Sequence, residues 1–264
     1  MPPASFTSTF DVAELAFYAF VLFFLGLVYY LRREDKREGY PLVSDRTDLS
    51  GGRVKVRGFP NPPPAKVFRT YHEPLELQER HERELDGILA PAENWPGAPY
   101  VPLGDPMRDG VGSASYAQRS EEVDVTFDEQ LPKIVPLRVA EGYYLAPEDP
   151  DPRGMEVYGV DRVLAGTVVD VWIDRSETFC HFLEVDVAPF LGAQRQRVLL
   201  PIRLARIDAK RRRVTVKSVM AHQIAAAPGT KHPDQITFRE EDRIAGYFAG
   251  GHLYATPQRS EPLL

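Results

Sequence analysis

The chain has 264 residues and a formal net charge of −6. That is enough for one sizeable core or two smaller ones, and it lacks the basic excess of a nucleic-acid binder. Charged residues at 27% and aromatics at 11% exclude a wholly disordered chain, and a single cysteine, Cys180, excludes an internal disulfide and fits a reducing compartment. The 24 prolines predict irregular stretches and short strands in place of a helical bundle.

After a short tail over residues 1–11, the first predicted element is an apolar helix over 12–31. The run from Leu15 to Leu31 carries no charge, and Glu14 is the one interruption before it. About 20 residues of helix cross the ~30 Å hydrocarbon core of a bilayer. A buried soluble helix would show a polar stripe, and a signal peptide would show a basic start; this segment shows neither. Arg32, Arg33, Lys36 and Arg37 follow the span, and no Lys or Arg precedes it. The positive-inside rule then puts the C-terminal side in the cytoplasm and the tail in the periplasm. Tyr29, Tyr30, Arg32, Arg33, Lys36, Arg37 and Tyr40 are the expected membrane-interface residues.

Residues 32–105 read as an extended, proline-rich surface segment, lying on a partner or on the membrane, or else serving as a flexible linker. Leu75 to Leu89 is a candidate charged helix, although its apolar positions do not repeat cleanly at helical spacing. Residues 106–264 read as a β domain. Gly166 to Asp174 is dense in β-branched and aromatic residues. Strict alternation sets Val169, Val171 and Ile173 on one face, and Asp170, Trp172 and Asp174 on the other. A turn at Arg175-Ser176-Glu177 leads to a second strand, His181 to Val187, which sets Phe182, Glu184 and Asp186 opposite Leu183, Val185 and Val187. Arg197 to Ile202 and Val214 to Val219 continue the pattern, with a charged turn at Asp208–Arg213. Short strands so spaced predict a small antiparallel barrel. Ile244, Tyr247 and Phe248 lie on one face of a short closing helix that Gly250-Gly251 is expected to end. The fold class is therefore mainly β, with one N-terminal transmembrane helix.

The sequence lacks a phosphate-binding glycine loop, a nucleophile elbow and a zinc-spaced cluster. Its six histidines are scattered, and Arg211-Arg212-Arg213 reads as a solvated turn in an acidic chain. These residues predict no enzyme, no metal site and no nucleic-acid partner.

A run of short segments nevertheless resembles one family, the H subunit of the purple-bacterial photosynthetic reaction centre. They are the anchor with Tyr29-Tyr30-Leu31, then Arg37–Leu42, Gly104–Met107, Asp109–Gly112, Ser115 with Tyr116, Gly166–Asp174, Phe182–Val185, Glu240–Asp242 and Gly246–Gly251 through Tyr254-Ala255. Arg32–Asp35, Asp151–Gly154 and Asp234–Thr237 resemble the branch that includes the Blastochloris-type subunit. The stretch from about 44 to 100 matches poorly. The resemblance implies a PRC-barrel-like cytoplasmic domain capping the L and M subunits in a bacterial inner, chromatophore-type membrane. A cytochrome subunit, a light-harvesting antenna and membrane lipids are further implied partners. Bacteriochlorophyll, bacteriopheophytin, quinones and non-haem iron are expected in L and M, with none bound by this chain, whose span has no histidine. The cap is expected to stabilise the secondary quinone site and to pass protons to it through Asp174 and Glu177, with Asp170 as a third proton-transfer residue. The family's surface histidine pair falls on Phe127–Leu131, where no histidine stands; Asp128 and Glu129 are the candidate points of proton uptake. The alternative reading is a membrane-tethered barrel-domain binding or assembly factor without pigment partners.

Overall fold

A computed structural model describes residues 11–47, 53–64, 66–69, 74–76, 85, 87–95, 98–192 and 197–260. The chain divides into two compact units, Met1–Glu82 with Pro91–Pro99, and Arg83–Ala90 with Tyr100–Leu264.

In the first unit, α1 spans Val12–Glu34, three residues beyond the expected end. Asp11 caps it, its carboxylate accepting from the Ala13 N–H at 3.2 Å. Glu14 accepts from the Tyr18 hydroxyl at 2.9 Å, so the one acid within the span has a partner one turn on. Among the described residues α1 is the one helix long and apolar enough to cross a membrane, with mean hydropathy 2.1 in its best window. None of its residues is buried. Strands β1 (Leu42–Thr47) and β2 (Arg53–Val56) pair antiparallel, as do β3 (Val67–Arg69) and β4 (Pro74–Glu76). The candidate helix over Leu75 to Leu89 is corrected at both ends. Leu75 and Glu76 lie in β4, and Leu89 opens strand β5 (Leu89–Pro91), which pairs with β6 (Tyr100–Pro102). With no apolar stripe to bury, helix loses there to ladder hydrogen bonds. Residues 77–84 and 86 lie outside the described residues.

The second unit, which also holds Leu89, Ala90 and strand β6, continues with α2 (Pro106–Asp109), capped by Asp105 and closed by Gly110 at φ 62°. Its sheet contains β7 (Ile134–Pro136), β8 (Glu156–Tyr158), β9 (Leu164–Asp174), β10 (Phe179–Val187), β11 (Arg197–Pro201), β12 (Ala205–Asp208) and β13 (Arg213–Val216). The strand order is β11-β10-β9-β8-β13-β12, with β7 also on β9. The β8–β13 pairing is parallel and the others are antiparallel. Among the described residues the path does not close on itself.

Strict alternation fails in the long hairpin. Glu184 faces Asp170 but Val185 faces Val168, so Val169 is an extra residue in a bulge. It is exposed, whereas Asp170, Val171, Trp172, Ile173 and Asp174 are all buried. His181 is a second extra residue, between the Cys180–Ile173 and Phe182–Trp172 pairs. The β9–β10 ribbon is thus covered on both faces, and positions expected to be solvated carry buried charge.

Helix α3 (Ala221–Ala225) and helix α4 (Phe238–Tyr254) complete the core, which centres on Trp172, Phe182, Leu183, Leu200, Ile224, Ile244 and Phe248. Each such side chain contributes roughly 1.5–3 kcal/mol on burial. Thr237 and Glu240 form a reciprocal capping box at the start of α4. The expected stop at Gly250-Gly251 is corrected: both glycines lie inside α4. A Cβ on Gly250 would stand 2.4 Å from the Ala114 Cβ, and one on Gly251 2.4 Å from the Ser218 carbonyl oxygen. The missing side chains let the helix backbone sit against two chain segments, and that packing outweighs glycine's poor helix propensity.

The Tyr247 hydroxyl donates to the Gln223 carbonyl at 2.8 Å. Burial, with Asp105 adding to it, pushes this phenol well above its ordinary 10.0. A group whose proton is held more tightly in the folded state stabilises fully below its unfolded pKa and loses that contribution as pH rises through the folded one. Melting temperature should therefore fall more steeply above about pH 10 in the native chain than in Tyr247→Phe. At neutral pH the variant should lose about 1 kcal/mol for the unmade hydrogen bond. Melting curves followed by circular dichroism across that range check both; parallel slopes would remove Tyr247 from the alkaline transition.

Candidate functional site

Asp174 ends β9 and is 3% exposed. Its Oδ1 accepts from the backbone N–H of Ser176 at 2.8 Å and of Glu177 at 2.9 Å, which fixes the turn into β10. Its Oδ2 lies 3.5 Å from the Lys133 ammonium, which is also 3.5 Å from Asp124. Burial works against the charge on Lys133, but the two carboxylates outweigh it and hold this amine above its ordinary value. Glu177 is exposed at the tip of the turn, and Thr178 beside it takes φ 51°.

The turn is tied to the segment before β8. The Arg175 N–H donates to the Lys133 carbonyl at 2.9 Å, and its guanidinium donates to the Pro132 carbonyl at 2.9 Å. The Tyr143 hydroxyl donates to the Arg175 carbonyl at 3.0 Å. Glu129, Glu141, Tyr143 and Arg175 line one cavity of 380 Å³. Asp128 and Glu129 are both exposed in a tight turn closed by the Thr126 N–H to the Leu131 carbonyl at 2.8 Å. Glu129 therefore shares a cavity wall with the neighbour of Asp174.

Asp170 has other partners. Its Oδ2 accepts from the Arg138 guanidinium at 3.0 Å, and its Oδ1 from the Val171 N–H at 2.8 Å. The same guanidinium donates to Glu184 at 2.5 Å, to Asp234 at 2.7 Å and to the Pro233 carbonyl at 2.8 Å. Glu184, 3% exposed, also accepts from the Trp172 indole at 3.0 Å and from Arg197 at 2.9 Å. Burial works against the charge on Arg138, but its hydrogen bond to Glu184 and those to the other two acids outweigh it, and the guanidinium is held above its ordinary value. The alternating face that grouped Asp170 with Asp174 thus resolves into two charge clusters with different cations. Sequence reasoning missed Lys133, Arg138 and Glu184. The signal for Glu184 was its place in a strand opposite Asp170; no local pattern marks the two cations.

The expected interface residues belong to the first unit. Tyr29, Tyr30, Arg32 and Arg33 are exposed. Lys36 is 6% exposed and donates to the carbonyls of Arg57 at 3.0 Å and Pro60 at 2.8 Å. Arg37 pairs with Glu34 at 2.7 Å and donates to the Pro64 carbonyl at 2.7 Å. Tyr40 is half-buried, its ring centre 5.0 Å from the Lys36 ammonium. Among the described residues no group of three or more His, Cys, Asp or Glu could hold a metal ion.

Two family models match the chain. The PRC-barrel domain covers residues 148–223, which contain β8 to β13 and the start of α3. The photosynthetic reaction centre H-chain N-terminal region covers residues 4–139, just over half of the sequence, from the tail through α1 and the three two-stranded pairs to β7 and Arg138. With the apolar helix, the mainly β domain and the C-terminal helix in their expected order, the chain belongs to the photosynthetic reaction centre H-chain family.

Proposed function

We propose that this chain is the structural H subunit that caps the cytoplasmic face of an L and M core, stabilises its secondary quinone site and conducts protons to it. Family membership and α1 make it a single-pass membrane protein associated with reaction centre core subunits. The basic residues after Leu31 support a cytoplasmic position for the second unit, and Arg32–Asp35 supports the Blastochloris-type branch. In this reading the pigments, quinones and non-haem iron belong to L and M. A cytochrome subunit and an antenna are further partners.

The observation that carries the proton role is the cavity whose walls include Glu129 and Arg175. It brings a surface acid to the turn that Asp174 holds. Asp128 and Glu129 collect protons from solvent, water in the cavity carries them past Glu141, and Asp174 and Glu177 deliver them. Asp170 helps position the neighbouring strand through Arg138. Each side chain in the relay needs only to bind and release a proton within hydrogen-bond reach of the next carrier.

Glu177→Gln combined with Asp174→Asn tests this. Both keep shape and remove a titrating proton. Flash spectroscopy should show an unchanged first charge separation and a second, proton-coupled electron transfer slowed roughly tenfold or more. The slowing should exceed that of either single variant. An unaltered second transfer between about pH 6 and 9 would reduce both acids to turn residues.

A further inference from the structure

The loop after β2 presents one large apolar side chain to the outside. Phe59 is 87% exposed, and its ring centre is 6.0 Å from that of Tyr29 on α1. Lys36 takes the carbonyls on either side of it, Arg57 and Pro60. Between them Gly58 takes φ +63°, and a Cβ there would stand 3.1 Å from the Lys36 ammonium. Burying a lysine is costly unless its donors are satisfied. Here they are spent on holding a short loop so that a phenylalanine points outward.

We propose that Phe59 is a second membrane anchor, seated at the boundary of phospholipid headgroups and acyl chains beside the foot of α1. Three observations favour phospholipid over a protein partner. First, Phe59 continues an aromatic belt: it lies against Tyr29, in the last turns of the uncharged run, where interfacial aromatics belong. Second, at about 100° per residue Tyr18, Leu22, Leu25 and Tyr29 share one helix face, with tyrosine at each end of an apolar stripe. The small residues Ala16, Ala19 and Gly26, the type that packs against neighbouring helices, lie on a different side. Third, the exposed Lys55 and Arg57 lead into the loop, adding positive charge where anionic headgroups lie.

The test places a photoreactive p-benzoylphenylalanine at position 59 in the intact complex in its own membrane. On illumination this side chain attacks nearby C–H bonds. The expected product is the chain carrying the mass of one intact phospholipid, with no cross-linked protein band. Attachment to another polypeptide would overturn the proposal in favour of a subunit contact; an unreacted probe would overturn it in favour of solvent. Adding Lys36→Met should release the loop and cut the lipid adduct several-fold. An undiminished yield would overturn the part assigned to the lysine.

Discussion

Replacing Arg138 by leucine is expected to destabilise the second unit by about 3–5 kcal/mol, the range for a buried ion pair robbed of one partner. Asp170 and Glu184 are 6% and 3% exposed, and both aim a carboxylate oxygen at this guanidinium. With the Arg138 side chain gone, Asp170 keeps only two backbone N–H donors, those of Val171 and of residue 138 itself. Glu184 keeps the Trp172 indole and the more exposed Arg197. The hydrophobic gain of a leucine is roughly 1.5–3 kcal/mol at best and cannot offset two carboxylates left without their shared cation. Arg138→Lys should recover part of the loss, because a single ammonium cannot hold Asp170, Glu184 and Asp234 together. Adding Glu184→Gln to Arg138→Leu should also recover stability, since it removes one stranded charge. Denaturant unfolding of the purified protein is the measurement, and a loss below about 1 kcal/mol would mean that water solvates the cluster.

The second large effect is expected at Gly251. Ordinary propensity says that a side chain here should help, since alanine exceeds glycine by about 1 kcal/mol inside a helix. Packing says the opposite. The added carbon would stand 2.4 Å from the Ser218 carbonyl oxygen and 2.4 Å from the Val219 Cγ1. The Arg259 guanidinium donates to the Ser218 and Gly251 carbonyls at 2.7 Å each, so both backbones are held in place. Overpacking of this kind costs typically 1–3 kcal/mol, so Gly251→Ala should be destabilising on balance. Gly251→Val should lose about 3 kcal/mol, having more volume and a stiff χ1. If Gly251→Ala raised the melting temperature, the close approach of α4 to Ser218 would be wrong.

The anchor and the β9–β10 hairpin were legible because each depends on a long local pattern: an uncharged run, and two alternating strands about a turn. The apolar face of α4 at Ile244, Tyr247 and Phe248 was legible from a shorter pattern of the same kind. What the sequence hid depends on contacts far along the chain. Arg138 reaches Glu184 across 46 positions and Asp234 across 96. The bulge at Val169 changes no residue type, so alternation alone could not reveal that Asp170 would be buried. Gly250 and Gly251 read as a stop because propensity is local, whereas their reason lies in Ala114 and Ser218. Of the candidate relay, the turn at Asp174 and the surface acids could be named from sequence and family resemblance. The cavity shared by Glu129 and Arg175 and the partnership of Asp174 with Lys133 could not.

The hydrogen bonds of Asp174 have a consequence for any proton that visits it. Oδ1 spends its two lone pairs on the amides of Ser176 and Glu177. A proton bound to that oxygen must displace one of those amides, whereas a proton on Oδ2 weakens the contact with Lys133 instead. The two oxygens are therefore unlike addresses on one carboxyl group. Occupying the first would loosen the backbone that carries Glu177, so in the proposed relay a proton's arrival would itself free the second acid to reorient.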